Sequence, residues 1–452
     1  MKSQTKLMLV LVIIAAAARV FVHYDSDPIV SLDTPSYELV ADCIRSLDFS
    51  TYDGERTPVY PVFMLLCGMN YFTIMLVQSV LGVVTCLLLF ALALRHTHNE
   101  RLAFLVALTH ALAVNQILIE GAVMAEALTT VLVVGSIFQC DRLIQTSEQR
   151  AASYALLGVV TAVIGLTKPF LQILPAVYFS FLFLRRRRDG LMRRAKLYGI
   201  IAFSCAAALP ILGWSTFNYS TVGHFGPSTM LGYALVGHTG AFIESAPEEY
   251  SEIKKTFLPA REAHTARTGH PAQTIWGIRK TLMEQTGLSH AELSRVLTRM
   301  SVGLILQHPL RYAGSAFQAW TNFWHVSKWG IQARYRGLRD EIVRTICRIE
   351  KYTLAGVNFL FLTLPFLWIA RRKVNDECSS SLQMLIVATV LSVSLAQALV
   401  AYGESPRYSL PFQPLICFAV ITCTYRLWVD YGRRHLRKVP EGTSRQESRS
   451  AG

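Results

Sequence analysis

The sequence is poor in charge: Asp, Glu, Lys and Arg make up 16% of its 452 residues, against about a quarter in an ordinary soluble domain. That shortage excludes a disordered chain and argues against a soluble enzyme of two or three domains. Paired cysteines are also lacking. Nine cysteines are scattered singly, with no CxxC among them, so neither a metal knuckle nor a disulfide scaffold is indicated. Cys86, Cys205, Cys417 and Cys423 lie in apolar runs, where a thiol serves as a small hydrophobe. There is no Walker motif, GxSxG or HExxH, which removes the commonest nucleotide, serine-hydrolase and zinc-protease chemistries. Internal repeats of the kind found in many secondary transporters are absent too.

What the chain has is apolar length. It is 52% hydrophobic with a mean hydropathy of +0.35, and several runs approach the roughly 20 residues that cross a bilayer. The first, Leu7 to Val22, resembles a signal peptide with Ala15 to Ala18 as the small-residue site. Arg19 follows at once and the run continues through Val20, Phe21 and Val22, which favours an uncleaved helix. Further spans are predicted at 72–94, 102–119, 121–140, 152–167, 170–184, 197–217, 353–370, 382–401 and 409–427. The expected fold is an all-α polytopic membrane protein of about 10 transmembrane helices, with outer juxtamembrane helices at 34–47 and 58–69 and a long outer loop.

The cations give the orientation. With the N-terminus inside, the cytosolic pieces hold 23 Lys or Arg and the short outer pieces hold 4, a positive-inside asymmetry. The overall charge of +14 is therefore a topological signal, and the Arg185 to Arg188 run is read as a lipid-headgroup anchor; no nucleic acid partner is expected. The segments are an N-terminal transmembrane catalytic module (1–217, with outer loop 23–71), an extracytoplasmic loop or small cap (218–352), C-terminal transmembrane helices (353–430) and a basic cytosolic tail, partly disordered (431–452). Both termini are expected in the cytosol, with the chain in a bacterial inner (plasma) membrane. The long loop ends in Trp320, Phe323, Trp324 and Trp329, aromatics suited to the headgroup level. Its histidines, His238, His264, His270 and His290, lack metal-ligand spacing and are expected at the surface.

This orientation gathers ionisable residues at one membrane face, where their burial cost makes them functional candidates. Asp33 stands in Asp33-Thr34-Pro35-Ser36-Tyr37, and Arg56 in Arg56-Thr57-Pro58-Val59-Tyr60-Pro61. Glu120 is at an outer tip, and Glu126 lies about 8 Å below it. Lys168 occupies a short outer turn, and Glu404, Arg407 and Tyr408 another. A carboxylate beside several cations is the equipment for transfer from a lipid phosphate, with the carboxylate as base and the cations on the leaving group. Each residue also has a plainer role. Asp33 could cap the helix that follows, Arg56 and Lys168 could snorkel, Arg407 could be a rim cation paired with Glu404, and Arg19 could pair with Glu126 or with the acidic loop.

The order of these motifs resembles the membrane glycosyltransferases of the C superfamily, the group of protein O-mannosyltransferases and aminoarabinose transferases. The resemblance rests on the outer Asp-Thr-Pro-Ser-Tyr, on Arg-x-Pro-x-Tyr-Pro some twenty residues later, and on a Glu near the start of the fourth span. Thr-Lys-Pro at an outer turn and Arg-Tyr-x-x-Pro (Arg407, Tyr408, Pro411) before the last span complete it. It implies that Asp33 is the catalytic base, that a hexose or pentose arrives on a polyprenyl phosphate, and that the acceptor is a lipid, glycan or protein hydroxyl. Arg56, Lys168 and Arg407 would hold the donor phosphate, with Glu126, Tyr37, Tyr60, Glu404 and Tyr408 in support. No cofactor is required; a divalent cation is compatible with the site. The competing class is a lipid or solute transporter or flippase, which would place ionisable residues near the middle of several spans.

Overall fold

The computed structural model describes residues 2–145, 150–184, 190–326, 338–371, 377–402 and 405–436. Its regular structure is helical, with no strand among the described residues. In hydrocarbon a backbone must satisfy its own hydrogen bonds, and a helix does so within one segment.

Helix α1 (Lys2–His23) leads to two short helices, α2 (Thr34–Ser46) and α3 (Val59–Leu66). Then come α4 (Tyr71–Thr97), α5 (Glu100–Ala111), α6 (Val114–Glu120), α7 (Glu126–Gln145), α8 (Ala151–Gly165), a 3₁₀ turn at Pro169–Ile173, α9 (Leu174–Leu184) and α10 (Gly190–Val222). A group of five follows: α11 (Leu231–Thr239), α12 (Ser251–Thr268), α13 (Thr274–Thr286), α14 (His290–Gln307) and α15 (Pro309–Phe323). The chain closes with α16 (Leu338–Phe361), α17 (Leu364–Arg371), α18 (Glu377–Val400), α19 (Ser405–Tyr408) and α20 (Gln413–Leu436).

Among the described residues six helices are long and apolar enough to cross a membrane, or seven if α5 and α6, bent by 55°, count as one broken span. Two shorter apolar stretches, Ala151–Gly165 and Pro169–Leu184, lie where two further spans were expected. The chain is an all-α polytopic membrane protein, with three local departures from the expected spans. The one expected at 102–119 is broken into α5 and α6. The stretch expected at 353–370 is divided between α16 and α17, because Pro365 lacks the amide that would carry the helix through. The span expected from 121 begins only at Glu126; residues 121–125 are a non-helical strap.

The main core packs Leu89 and Phe90 of α4 against Val133 and Ile137 of α7, with Tyr178, Leu385 and Phe418 from later helices. This group has a second core, including Tyr233, Val236, Phe257, Ile275, Leu297 and Leu304. Ser289 and Glu292 form a reciprocal capping box at the start of α14, the pairing their three-residue spacing favours. α15 leaves this group and runs beside α18: Tyr312 donates to the Leu399 carbonyl at 2.6 Å, and Trp320 Nε1 to Ser394 Oγ at 3.1 Å. Phe323 and Trp324 are buried and pack into the main core. Trp329 and the Arg185 to Arg188 run lie outside the described residues.

Arg19 is paired with Glu120 (2.7 Å, both buried), not with Glu126 or the acidic loop. The pair crosses α4 at Gly82, where an added Cβ would strike Glu120 Oε1 and Arg19 Nη2. Breaking a buried ion pair typically costs about 3–5 kcal/mol. Gly82→Ala is therefore expected to lower the thermal midpoint of the purified protein by an amount near that of Glu120→Ala. An unchanged midpoint would place the pair elsewhere.

Candidate active site

Asp33 occupies the N-cap position of α2, yet its side chain makes no capping hydrogen bond. Pro35 in the first turn needs no amide partner, and the carboxylate is left free to turn inward. One oxygen, Oδ1, accepts Arg56 Nη2 at 2.6 Å, and the other, Oδ2, accepts Arg407 Nη2. Arg56 is fixed from two further sides. Its Nε donates to Ser36 Oγ at 2.7 Å, and its guanidinium lies 4.7 Å from the centre of the Tyr37 ring, a cation–π contact. Tyr37 packs edge-on against Tyr60 at 4.8 Å, and both rings are buried.

The second carboxylate, Glu126, opens α7 and is wholly buried. Its Oε1 accepts Lys168 Nζ at 2.8 Å and Arg407 Nε at 2.6 Å. Arg407 thus joins the two carboxylates through different nitrogens of one planar fork, which an ammonium cannot do. Lys168 and Arg407 flank the ring of Tyr408, at 5.4 and 5.7 Å from its centre. Three cations surround Asp33 and Glu126, and Glu55 approaches Arg56 from another side at 3.4 Å, so every cation of the cluster has a carboxylate partner.

The electrostatics follow from this packing. Burial alone would raise the Asp33 carboxyl, but the Arg56 and Arg407 guanidiniums hold it well below the usual carboxylate range. Arg56 is shifted the other way: burial disfavours its charge, and Tyr37 and Asp33 more than restore it. Both residues are ionised at any working pH.

Of the seven ionisable residues gathered at this face in the sequence, Glu120 pairs with Arg19 instead, and five meet here: Asp33, Arg56, Glu126, Lys168 and Arg407. Tyr37, Tyr60 and Tyr408 pack around them; Glu404 lies outside the described residues. Three plainer roles do not hold. Asp33 does not cap; Arg407 is 9% exposed and bonded to both carboxylates, so it is no rim cation; and Lys168 is 5% exposed with its ammonium on Glu126, so it does not snorkel. A neighbouring group was missed. Asp53, Glu55 and His290 bring one ligand atom each within 4.8 Å of one another, and Glu55 also accepts Arg279 at 2.7 Å. His290 and His238 are buried, contrary to expectation. His290 comes from the start of α14, so no spacing in sequence could have linked it to a loop more than two hundred residues earlier.

No family model and no curated protein sequence matches the chain. Solved structures do. The archaeal oligosaccharyltransferase AglB from Archaeoglobus fulgidus, in complex with an inhibitory peptide and a dolichol-phosphate, superposes with a TM-score of 0.52 at 12% identity, over 97% of this chain and 52% of that one. The apo form of the oligosaccharyltransferase from the same organism gives 0.51 at 12% identity, over 96% and 52%. ArnT from Cupriavidus metallidurans bound to undecaprenyl phosphate gives 0.37 at 15% identity, over 96% and 80%, too low a score to carry an argument. The chain spans about half the length of the oligosaccharyltransferases it matches. Within that half it shares their fold, as the motif order led one to expect.

Proposed function

We propose that the chain is an integral membrane glycosyltransferase that moves a sugar from a polyprenyl-phosphate donor to an acceptor hydroxyl on the extracytoplasmic side. The observation that carries this reading is the meeting of Asp33, Arg56, Glu126, Lys168 and Arg407, from four separate parts of the chain, in one cluster of ion pairs. The dolichol-phosphate bound by the archaeal enzyme of the same fold supports a lipid phosphate as the carrier. The charge asymmetry supports cytosolic termini and an outward-facing site, and we place the chain in a bacterial inner membrane.

In the step itself the acceptor oxygen attacks the anomeric carbon while its proton passes to Asp33. The bond from that carbon to the phosphate oxygen breaks with inversion, and the electron pair leaves on the phosphate. Arg56, Lys168 and Arg407 hold the departing charge, and Glu126 keeps Lys168 and Arg407 in place. Both Asp33 oxygens are bonded to arginine in the resting site. A phosphate competing for those guanidiniums frees the carboxylate and raises its basicity, so the donor prepares the base that uses it.

Asp53, Glu55 and His290 are the residues that would hold a divalent cation: His290 is buried and its Nε2 has no hydrogen-bond partner, and mixed imidazole and carboxylate donors suit a borderline ion such as zinc. Glu55 carries Arg279 and Arg56 on its two oxygens, as Asp33 carries Arg56 and Arg407, so an ion at either place would have to displace a guanidinium. An ion held by Asp53, Glu55 and His290 would tie the first outer loop to α14, with no part in the proton transfer at Asp33.

The test uses purified protein in nanodiscs with a polyprenyl-phosphate sugar. Glycosyl transfer predicts one free polyprenyl phosphate for each sugar released or transferred. In proteoliposomes, movement of intact donor between leaflets without cleavage would replace this reading with the flippase one.

A further inference from the structure

Gln78 of α4 is a fully buried amide about 10 Å from the outer end of its helix, at 1.5 Å per residue. A primary amide in an apolar span is costly unless its polar atoms are matched, and here they are matched to particular groups. Nε2 donates to the carbonyls of Glu120 at 2.8 Å and Ala122 at 2.7 Å; Oε1 accepts Tyr60 Oη at 3.2 Å. Those carbonyls belong to the strap, residues 121–125, and to the residue just before it.

The strap is sewn from its other side by the first outer loop. Ile29 N donates to the Gly121 carbonyl, and Val123 N to the Ile29 carbonyl, both at 2.9 Å. Thr34 Oγ1 donates to the Val123 carbonyl at 3.1 Å. Thr34 directly follows Asp33, and the strap ends directly before Glu126. One five-residue segment therefore sets the separation of the two carboxylates that Arg407 spans, with Gln78 as its anchor on the α4 side. Through Tyr60 the same amide also steadies Tyr37, the ring beneath Arg56.

We propose that Gln78 is a positioning residue that holds the strap so that Asp33 and Glu126 sit at the spacing Arg407 bridges. Its kinetic meaning rests on the glycosyltransferase reading. Gln78→Leu removes both donors and the acceptor while keeping an apolar, helix-favouring residue. A displacement of about 1 Å at a reacting group can cost on the order of a hundredfold, and a loss of that size in kcat is expected.

The decisive measurement is a double-mutant cycle with Glu126→Gln on the full chain in nanodiscs, alongside thermal midpoints. If Gln78 acts by placing Glu126, adding Gln78→Leu to Glu126→Gln lowers the residual kcat by less than about threefold, since coupled residues are non-additive. A role confined to stability would instead lower the midpoint and multiply the losses. Full additivity, or wild-type kcat in folded Gln78→Leu, overturns the proposal. Should Gln78→Leu fail to fold, Thr34→Val removes the strap's bond from the loop side and must show the same non-additivity. Binding of polyprenyl phosphate, followed by a fluorescent analogue, separates the two readings. A wild type that releases no sugar but binds the analogue ends the transferase reading alone, and the strap claim then stands or falls on whether Gln78→Leu weakens that binding about tenfold.

Discussion

Asp33→Asn is expected to lose about 10²–10⁴-fold in turnover, the usual range for removing a general base, while the protein stays folded. Asparagine caps a helix about as well as aspartate, and the Asp33 carboxylate makes no capping bond to lose. Donor binding should hold or tighten, because Arg56 and Arg407 lose a competitor for the phosphate. Turnover lost with affinity kept is therefore the signature, read from sugar release and from titration with polyprenyl phosphate. Normal turnover in Asp33→Asn would remove the base from the mechanism. The pH dependence adds a check. Asp33 is depressed in the folded state, so its ion pairs contribute stability above the unfolded value of about 3.9 and lose it as pH falls through the lower folded value. Protonation of Asp33 should leave kcat/KM of the free enzyme flat from about pH 5 upward.

Arg407→Ala should be the most damaging cation change, because that side chain serves both carboxylates and, in the proposed mechanism, the phosphate. One charge-assisted contact contributes roughly 1.5–3 kcal/mol, so donor affinity is expected to fall about ten- to a hundredfold. Turnover should fall further, since Glu126 keeps only Lys168. Arg407→Lys should recover little, as one ammonium cannot span Asp33 and Glu126. Arg56→Ala, at a more exposed site, should weaken the donor with less loss of thermal stability. Donor titrations that leave affinity unchanged in Arg407→Ala would remove it from phosphate binding.

Much of this cluster could be read in the sequence because topology sorts residues by side: alternating spans and the cation count place Asp33, Arg56, Glu126, Lys168 and Arg407 at one face. The short helices α2 and α3 were legible as well, since Thr34-Pro35 and Pro58 are helix starters. What hydropathy does not carry is backbone state within an apolar run. Ala122, Val123 and Ala125 are apolar enough to pass for the first turn of a span, and only their pairing with Ile29, Thr34 and Gln78 keeps them out of the helix. Partner choice is equally hidden. The Arg407 guanidinium bonds to Glu126 and Asp33, which lie far off in the chain but near in the fold.

The hydrogen bond between Asp33 and Arg407 joins positions 374 apart, and this has a consequence for biogenesis. A ribosome delivers Asp33, Arg56, Glu126 and Lys168 to the translocon long before Arg407 emerges. Until then, Glu126 has Lys168 alone and Asp33 has Arg56 alone. Closure of the cluster is thus tied to a segment made more than two hundred residues after Lys168, which brings in the arginine that links the two acids.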